Sequence, residues 1–237
     1  TFENRNHALV QKFWKRIGFY KSLRQKNVMD FGSGTGCLTT DIAQKGASHV
    51  IGVDNDEKMR AYSSYRLNEK FLNFKERVSY TTDHLSSFEE ESFDFIFSKD
   101  TFEHLDNPEY FLKNFYRILR PGGEVTLGFG PLWRSPFGDH GVVQEAIGFK
   151  VPWLHVLLGQ DLVRRMFNNS SLKKENLYSP QAIENVDDYL NMNCVDEFKD
   201  IIEGSSFEIL SYEENVHENA YLNFVSQLKV PNFFRNY

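Results

Sequence analysis

Val28-Met-Asp-Phe-Gly-Ser-Gly-Thr-Gly-Cys37 is a short apolar run that stops at an acid and enters a turn with glycines at alternate positions. Leu38-Thr-Thr-Asp-Ile-Ala-Gln-Lys45 follows with a helical pattern, so the stretch reads as strand, tight turn and helix. Glycine takes up left-handed backbone without a Cβ penalty and lets main chain approach a ligand closely. In α/β proteins such a turn is where a nucleotide meets the sheet.

Working outward, Leu9, Val10, Phe13, Trp14, Ile17 and Tyr20 recur at steps of three and four, which predicts an N-terminal helix within residues 1–24 packing on the core. Asn27–Phe31 is the first strand, and the first helix runs from Gly36 to Lys45 with Gly46 as its C-cap. His49–Asp54 is a second strand, apolar on both faces as a parallel strand should be. A helix over 56–72, a strand at Val78–Thr81 and a buried strand at Ser92–Ser98 follow. Asn107-Pro108 starts another helix, which Arg120-Pro-Gly-Gly123 should end before a fifth strand at Glu124–Phe129. Strands alternating with helices imply a Rossmann-like α/β fold with a mostly parallel sheet and helices on both faces.

The rhythm breaks after Gly130. Residues 131–178, and the chain to about 193, read as a lid inserted after strand five, with one helix near 155–167 and another from Ser179-Pro180. Trp133, Phe137, Phe149, Trp153 and Tyr178 would line a pocket or simply pack an added lobe. A helix over Val195–Ile202, closed by Gly204, precedes two last strands at Phe207–Tyr212 and Tyr221–Lys229. Their link is too short for a parallel crossover, so the last strand of seven should be antiparallel. Residues 25–237 are thus one catalytic-type domain.

Composition narrows the function. The net charge of −6 argues against broad nucleic-acid binding. No apolar run reaches the roughly 20 residues of a membrane span, and no signal-peptide core opens the chain, which begins on Thr. Cys37 and Cys194 have no disulfide or zinc spacing, so a reducing cytoplasm is the expected compartment. Oligomeric state is left open.

The glycines at 32, 34 and 36 depart from the G-x-G-x-x-G dinucleotide fingerprint, since Cys37 stands where the last glycine would be needed. With Asp30 they make a D-x-G-x-G-x-G pattern that resembles the first motif of class I S-adenosylmethionine-dependent methyltransferases. Gly52-Val-Asp54, Thr82-Asp-His84, Phe93–Asp100 and Leu119–Val125 resemble the later signatures of that family in order. The resemblance implies S-adenosylmethionine as cofactor, held around Asp30, Gly32, Ser33, Gly34, Gly36, Asp54, Asn55, Asp83, His84, Ser98 and Lys99. Asp30 would stay ionised toward the cofactor's amino-acid end, Asp54 would take the ribose diol, and Asp83 the adenine amine.

Asp100-x-x-Glu103-His104 is similar to the E-x-x-E-H segment of ubiquinone-pathway O-methyltransferases and of small-RNA 2′-O-methyltransferases. It implies a divalent metal on Asp100, Glu103, His104 and His140, with His104, His140 and Glu103 as the catalytic group; without metal, His104 or His140 would serve as base. The plainer reading has Glu103 and His104 opening the next helix. The expected activity is methyl transfer to an oxygen or nitrogen of a small molecule. Alternatives are metal-assisted RNA 2′-O-methylation, a non-catalytic cofactor-binding module, and a nicotinamide oxidoreductase.

Overall fold

The structure, a computed structural model, describes residues 2–19, 21–169, 190–191 and 193–212. These divide into two compact units. The first comprises the chain up to Phe102 together with Tyr110–Phe129; the second comprises Glu103–Glu109 and the described residues from Gly130 onward.

The first unit is a parallel sheet of five strands, β1 (Asn27–Phe31), β2 (His49–Val53), β3 (Val78–Thr81), β4 (Phe93–Lys99) and β5 (Leu119–Gly128), in the order β3-β2-β1-β4-β5. Asp30 pairs with Gly52 on one side and Phe97 on the other, so the glycine turn leaves the carboxyl edge at the middle of the sheet. The central strands are apolar on both faces because helices cover both. On one side α1 (Phe2–Ile17) and α2 (Cys37–Gln44) join a core of Val10, Phe13, Trp14, Val28, Ile42, Phe95 and Phe97. Trp14 meets Phe97 edge-on, with ring centroids 5.0 Å apart, and its indole Nε1 donates to Asp41 Oδ2 at 2.6 Å. On another, α4 (Pro108–Ile118) buries Phe115 against Phe31, at 5.1 Å between ring centroids. The helix α3 (Glu57–Lys70) starts where the Asp56 side chain accepts from Lys58 N at 2.7 Å, an N-cap that satisfies an otherwise orphaned N–H.

Three expectations are revised. First, β5 begins at Leu119 rather than Glu124, because Leu119 already pairs with Phe93; Arg120–Gly123 bulges out of the ladder before Glu124 takes up Phe95. Second, the helix expected near 155–167 is two, α6 (Leu154–Leu158) and α7 (Gln160–Asn169), since Gly159 has φ 77° and ψ 157°, which no helix accommodates. Third, the sheet of the described residues ends at five strands. Phe207–Tyr212 pairs with no strand there, and its expected partner 221–229 lies outside the described residues, as does the helix from Ser179.

The second unit has its own core of Trp133, Val142, Val143, Val163, Phe167 and Leu190, built from α5 (Val142–Ile147), α7 and the chain around them. Trp133 is therefore buried in packing while Phe149 is 61% exposed, so these rings do not share one pocket; Tyr178 lies outside the described residues. The helix α8 (Val195–Glu203) closes the described chain, with Glu197 Oε2 accepting from Cys194 N at 2.6 Å. Among the described residues no helix is long and apolar enough to cross a membrane.

Candidate functional site

Gly32, Gly34 and Gly36 have φ of 74°, 48° and 73°, all in the left-handed region, but for different reasons. A Cβ on Gly32 would lie 2.0 Å from Thr101 Oγ1, and one on Gly36 2.3 Å from the Tyr80 hydroxyl. A Cβ on Gly34 would meet nothing within 4 Å. Packing thus explains the outer glycines, and the middle one borders open space.

The turn is tied to β2 and to Asp54. Gly32 N and Ser33 N donate to the Val53 carbonyl at 2.8 and 3.0 Å. Asp54 Oδ2 accepts from Gly34 N at 2.7 Å and its Oδ1 from Asp56 N at 3.0 Å. Each oxygen keeps a lone pair for a ligand hydroxyl, and the anchored carboxylate is pre-aimed. Burial raises its pKa against the pull of those two N–H groups. Asp30 is buried at the end of β1, with Thr39 Oγ1 donating to its Oδ2 at 2.6 Å. Burial pushes this carboxyl up to about 7, the Thr39 bond opposing and the Asp54 charge reinforcing the shift. Desolvation thus outweighs the hydrogen bond at Asp30 in this geometry.

Asn55 is exposed beside Asp54, and Asp83 and His84 are exposed in the loop after β3, where Asp83 N donates to Thr81 Oγ1 at 3.1 Å. Ser98 is buried at the end of β4, and Lys99 pairs with Asp100. Asp100 has φ 53°, a left-handed conformation unusual for a side-chain-bearing residue.

The other histidine-segment residues fall in the second unit. Glu103 is buried and accepts from Gly130 N at 3.0 Å through Oε1. His104 and His140 meet edge to face, with centroids 5.4 Å apart. His140, at φ 51°, holds Nε2 at 2.8 Å from the Pro131 carbonyl. A carbonyl only accepts, so Nε2 carries a proton. Among the described residues no group of three or more His, Cys, Asp or Glu is gathered to hold a metal. Glu103 Oε1 is turned to the Gly130 backbone, Asp100 to Lys99, and His140 Nε2 to a carbonyl.

Residues 29–127 match the profile of the family described as Methyltransferase domain. Over that segment the chain is similar to a methyltransferase domain. Over 116 residues the chain is 32% identical to phosphoethanolamine N-methyltransferase 2 of Caenorhabditis elegans, covering 49% of this chain and 26% of that one. Over 146 residues it is 32% identical to a ubiquinone biosynthesis O-methyltransferase of Pseudomonas entomophila, covering 54% and 61%. The chain thus spans 26% of the first relative's length and 61% of the second's. Among solved structures, an S-adenosylmethionine-dependent methyltransferase from Mesorhizobium loti aligns at 21% identity and a TM-score of 0.44, over 52% of this chain and 56% of that one.

The glycine turn suits a polar ligand on its own geometry. Ser33 Oγ and Ser98 Oγ are buried hydroxyls without a hydrogen-bond partner among the described residues, and both lie where sheet and turn meet. Such groups are costly unless something polar reaches them. Sequence reasoning missed Thr39, Arg66 and Tyr80, which hold the domain's turn from behind. An arginine in a polar, charged helix reads as a solvated charge, yet Arg66 is 5% exposed. It also missed Asp139, whose Oδ2 accepts from Val143 N at 2.7 Å and whose Oδ1 lies 3.6 Å from buried His155. His155 Nε2 donates to the Trp133 carbonyl at 2.6 Å, so this histidine fastens its unit rather than serving chemistry.

Proposed function

We propose that the chain transfers a methyl group from S-adenosylmethionine to an oxygen or nitrogen of a small-molecule acceptor. The observation that carries the reading is the Gly34–Asp54 arrangement, a glycine facing open space beside a carboxylate whose two oxygens are fixed by backbone N–H groups. The printed activities of the relatives, N-methylation in one and O-methylation in the other, support the same reaction class. The cofactor supplies a methyl on a sulfonium together with its leaving group.

What remains for the protein is orientation and proton management. Asp54 accepts from a ribose diol, Asp30 faces the amino-acid end, and Asp83 the adenine amine. Holding the acceptor in line replaces a bimolecular encounter by a positioned one. His104 or His140 serves as the base that takes the proton of the acceptor group, and Glu103 fastens Gly130. Cys37 and Cys194, which have no disulfide or zinc spacing in the sequence, agree with a reducing, cytoplasmic setting.

Thermal denaturation with and without S-adenosylhomocysteine tests the proposal. A ligand at 100 times its Kd should add about 2.7 kcal/mol of stability. A folded chain that shows no shift with either S-adenosylmethionine or S-adenosylhomocysteine would falsify the proposal.

A further inference from the structure

Four donors converge on one backbone oxygen of the glycine turn, the carbonyl of Gly36. Thr40 N reaches it at 3.1 Å and the Thr40 hydroxyl at 3.0 Å, with the Cys37 carbonyl sharing that hydroxyl at 3.1 Å. Arg66 Nη1 and the Tyr80 hydroxyl each reach it at 3.2 Å. Arg66 Nη1 also donates to Thr40 Oγ1 at 3.1 Å, and its guanidinium lies over the Phe71 ring, 4.6 Å from the centroid. Both long side chains come from elements outside the turn, Arg66 from α3 and Tyr80 from β3.

A carbonyl oxygen has two lone pairs, so an oxygen with this many donors is saturated and its direction is fixed. The residue that carries this oxygen, Gly36, is the N-cap of α2 and sits in left-handed backbone with no side chain of its own to hold it. In a trans peptide the carbonyl and the following N–H point in opposite directions. Fixing the Gly36 oxygen toward Arg66 therefore aims the Cys37 N–H, the first of α2, away from it. Tyr80 acts in a second way, since its ring fills the space a Cβ would need at both Gly36 and Gly52.

We propose that Arg66 and Tyr80 are positioning residues that set the glycine turn in its cofactor-accepting shape by pinning the Gly36 carbonyl from behind. A buried guanidinium is a demanding choice for mere packing. It suits a site where a flexible glycine turn must keep one conformation before ligand arrives. The inference rests on the cofactor reading above and adds the residues that enforce it.

The test is S-adenosylhomocysteine affinity by calorimetry for the native chain, Arg66→Met, Arg66→Lys and Tyr80→Phe. Each is measured well below the melting temperature of its ligand-free form. Arg66→Met should weaken binding about tenfold or more, as loss of a charged hydrogen bond implies. Arg66→Lys should recover part of that, since lysine keeps the charge but not the planar fork. Tyr80→Phe, which removes one hydroxyl, should cost about threefold to tenfold. A purely structural role would lower melting temperatures and leave these affinities unchanged. If Tyr80→Phe and Arg66→Lys are folded and bind as tightly as the native chain, the proposal is overturned, whether or not Arg66→Met folds. Failure of the native chain to bind at all would instead bring down the cofactor reading beneath it.

Discussion

Gly36 has Tyr80 and Ser63 against it, whereas Gly34 faces open space, so the same substitution should act mainly on stability at the first and on binding at the second. Gly36→Ala should destabilise the chain by about 3 kcal/mol in urea, from overpacking and left-handed strain together. Gly34→Ala should cost only about 1 kcal/mol of stability and weaken S-adenosylhomocysteine roughly tenfold, equal to about 1.4 kcal/mol of binding. Asp30 gives a pH prediction. Its carboxyl titrates near its ordinary 3.8 when unfolded and near 7 when folded. Between those values the folded chain keeps a proton that the unfolded chain has lost. Stability therefore falls as pH rises from about 4 to about 7, by at most about 4 kcal/mol, and this contribution is level beyond. Asp30→Asn should flatten that slope in urea denaturations at pH 5 and pH 8; an unchanged slope would assign it to other groups. His104→Ala and His140→Ala should each lower kcat by about 10²- to 10⁴-fold, tried on a panel of phenols and primary amines, while cofactor affinity stays put. Full activity in both variants would remove the base from this pair.

Elements were legible where one force dominated. The strands β1 to β4 were readable because continuous apolar runs between turn residues have few other uses, and α2 because its glycine turn announces it. The breaks were less visible. Gly159 divides α6 from α7 by its backbone angles, which the apolar pattern on both sides conceals. Leu119 belongs to α4 by periodicity but to β5 by its pairing with Phe93, a tertiary contact that overrides local pattern. The attachment of α1 is an element-scale feature that can be weighed. Trp14→Phe keeps most of the ring volume but removes the 2.6 Å bond to Asp41, a carboxylate only 8% exposed. It should cost about 2 kcal/mol, read as a lower urea midpoint with unchanged m-value. A loss below about 0.5 kcal/mol would mean that Lys45, 3.7 Å from the same carboxylate, suffices as its partner.

For the whole molecule, charge separates the small-molecule reading from the RNA alternative. At a net charge of −6 the chain lacks the field that draws in a polyanion. It should give no gel shift with single- or double-stranded RNA at physiological salt, and salt-sensitive binding there would revive the alternative. Asp30, the three glycines and Asp54 were legible as parts of one turn because they are close in sequence and mark strand ends. The histidine segment was not, because its residues lie far apart in sequence and their orientations depend on backbone partners such as Gly130 and Pro131, which no motif displays. The bulge at Arg120–Gly123 has one more consequence. It sits at the entry of β5 beside Phe93, the first residue of β4, whereas the site lies past the other end of that seven-residue strand. Seven residues of strand span about 23 Å. A fluorophore or peptide epitope grafted into this slack would report on the molecule from a distance, giving experimenters an attachment point that leaves the reaction chamber untouched.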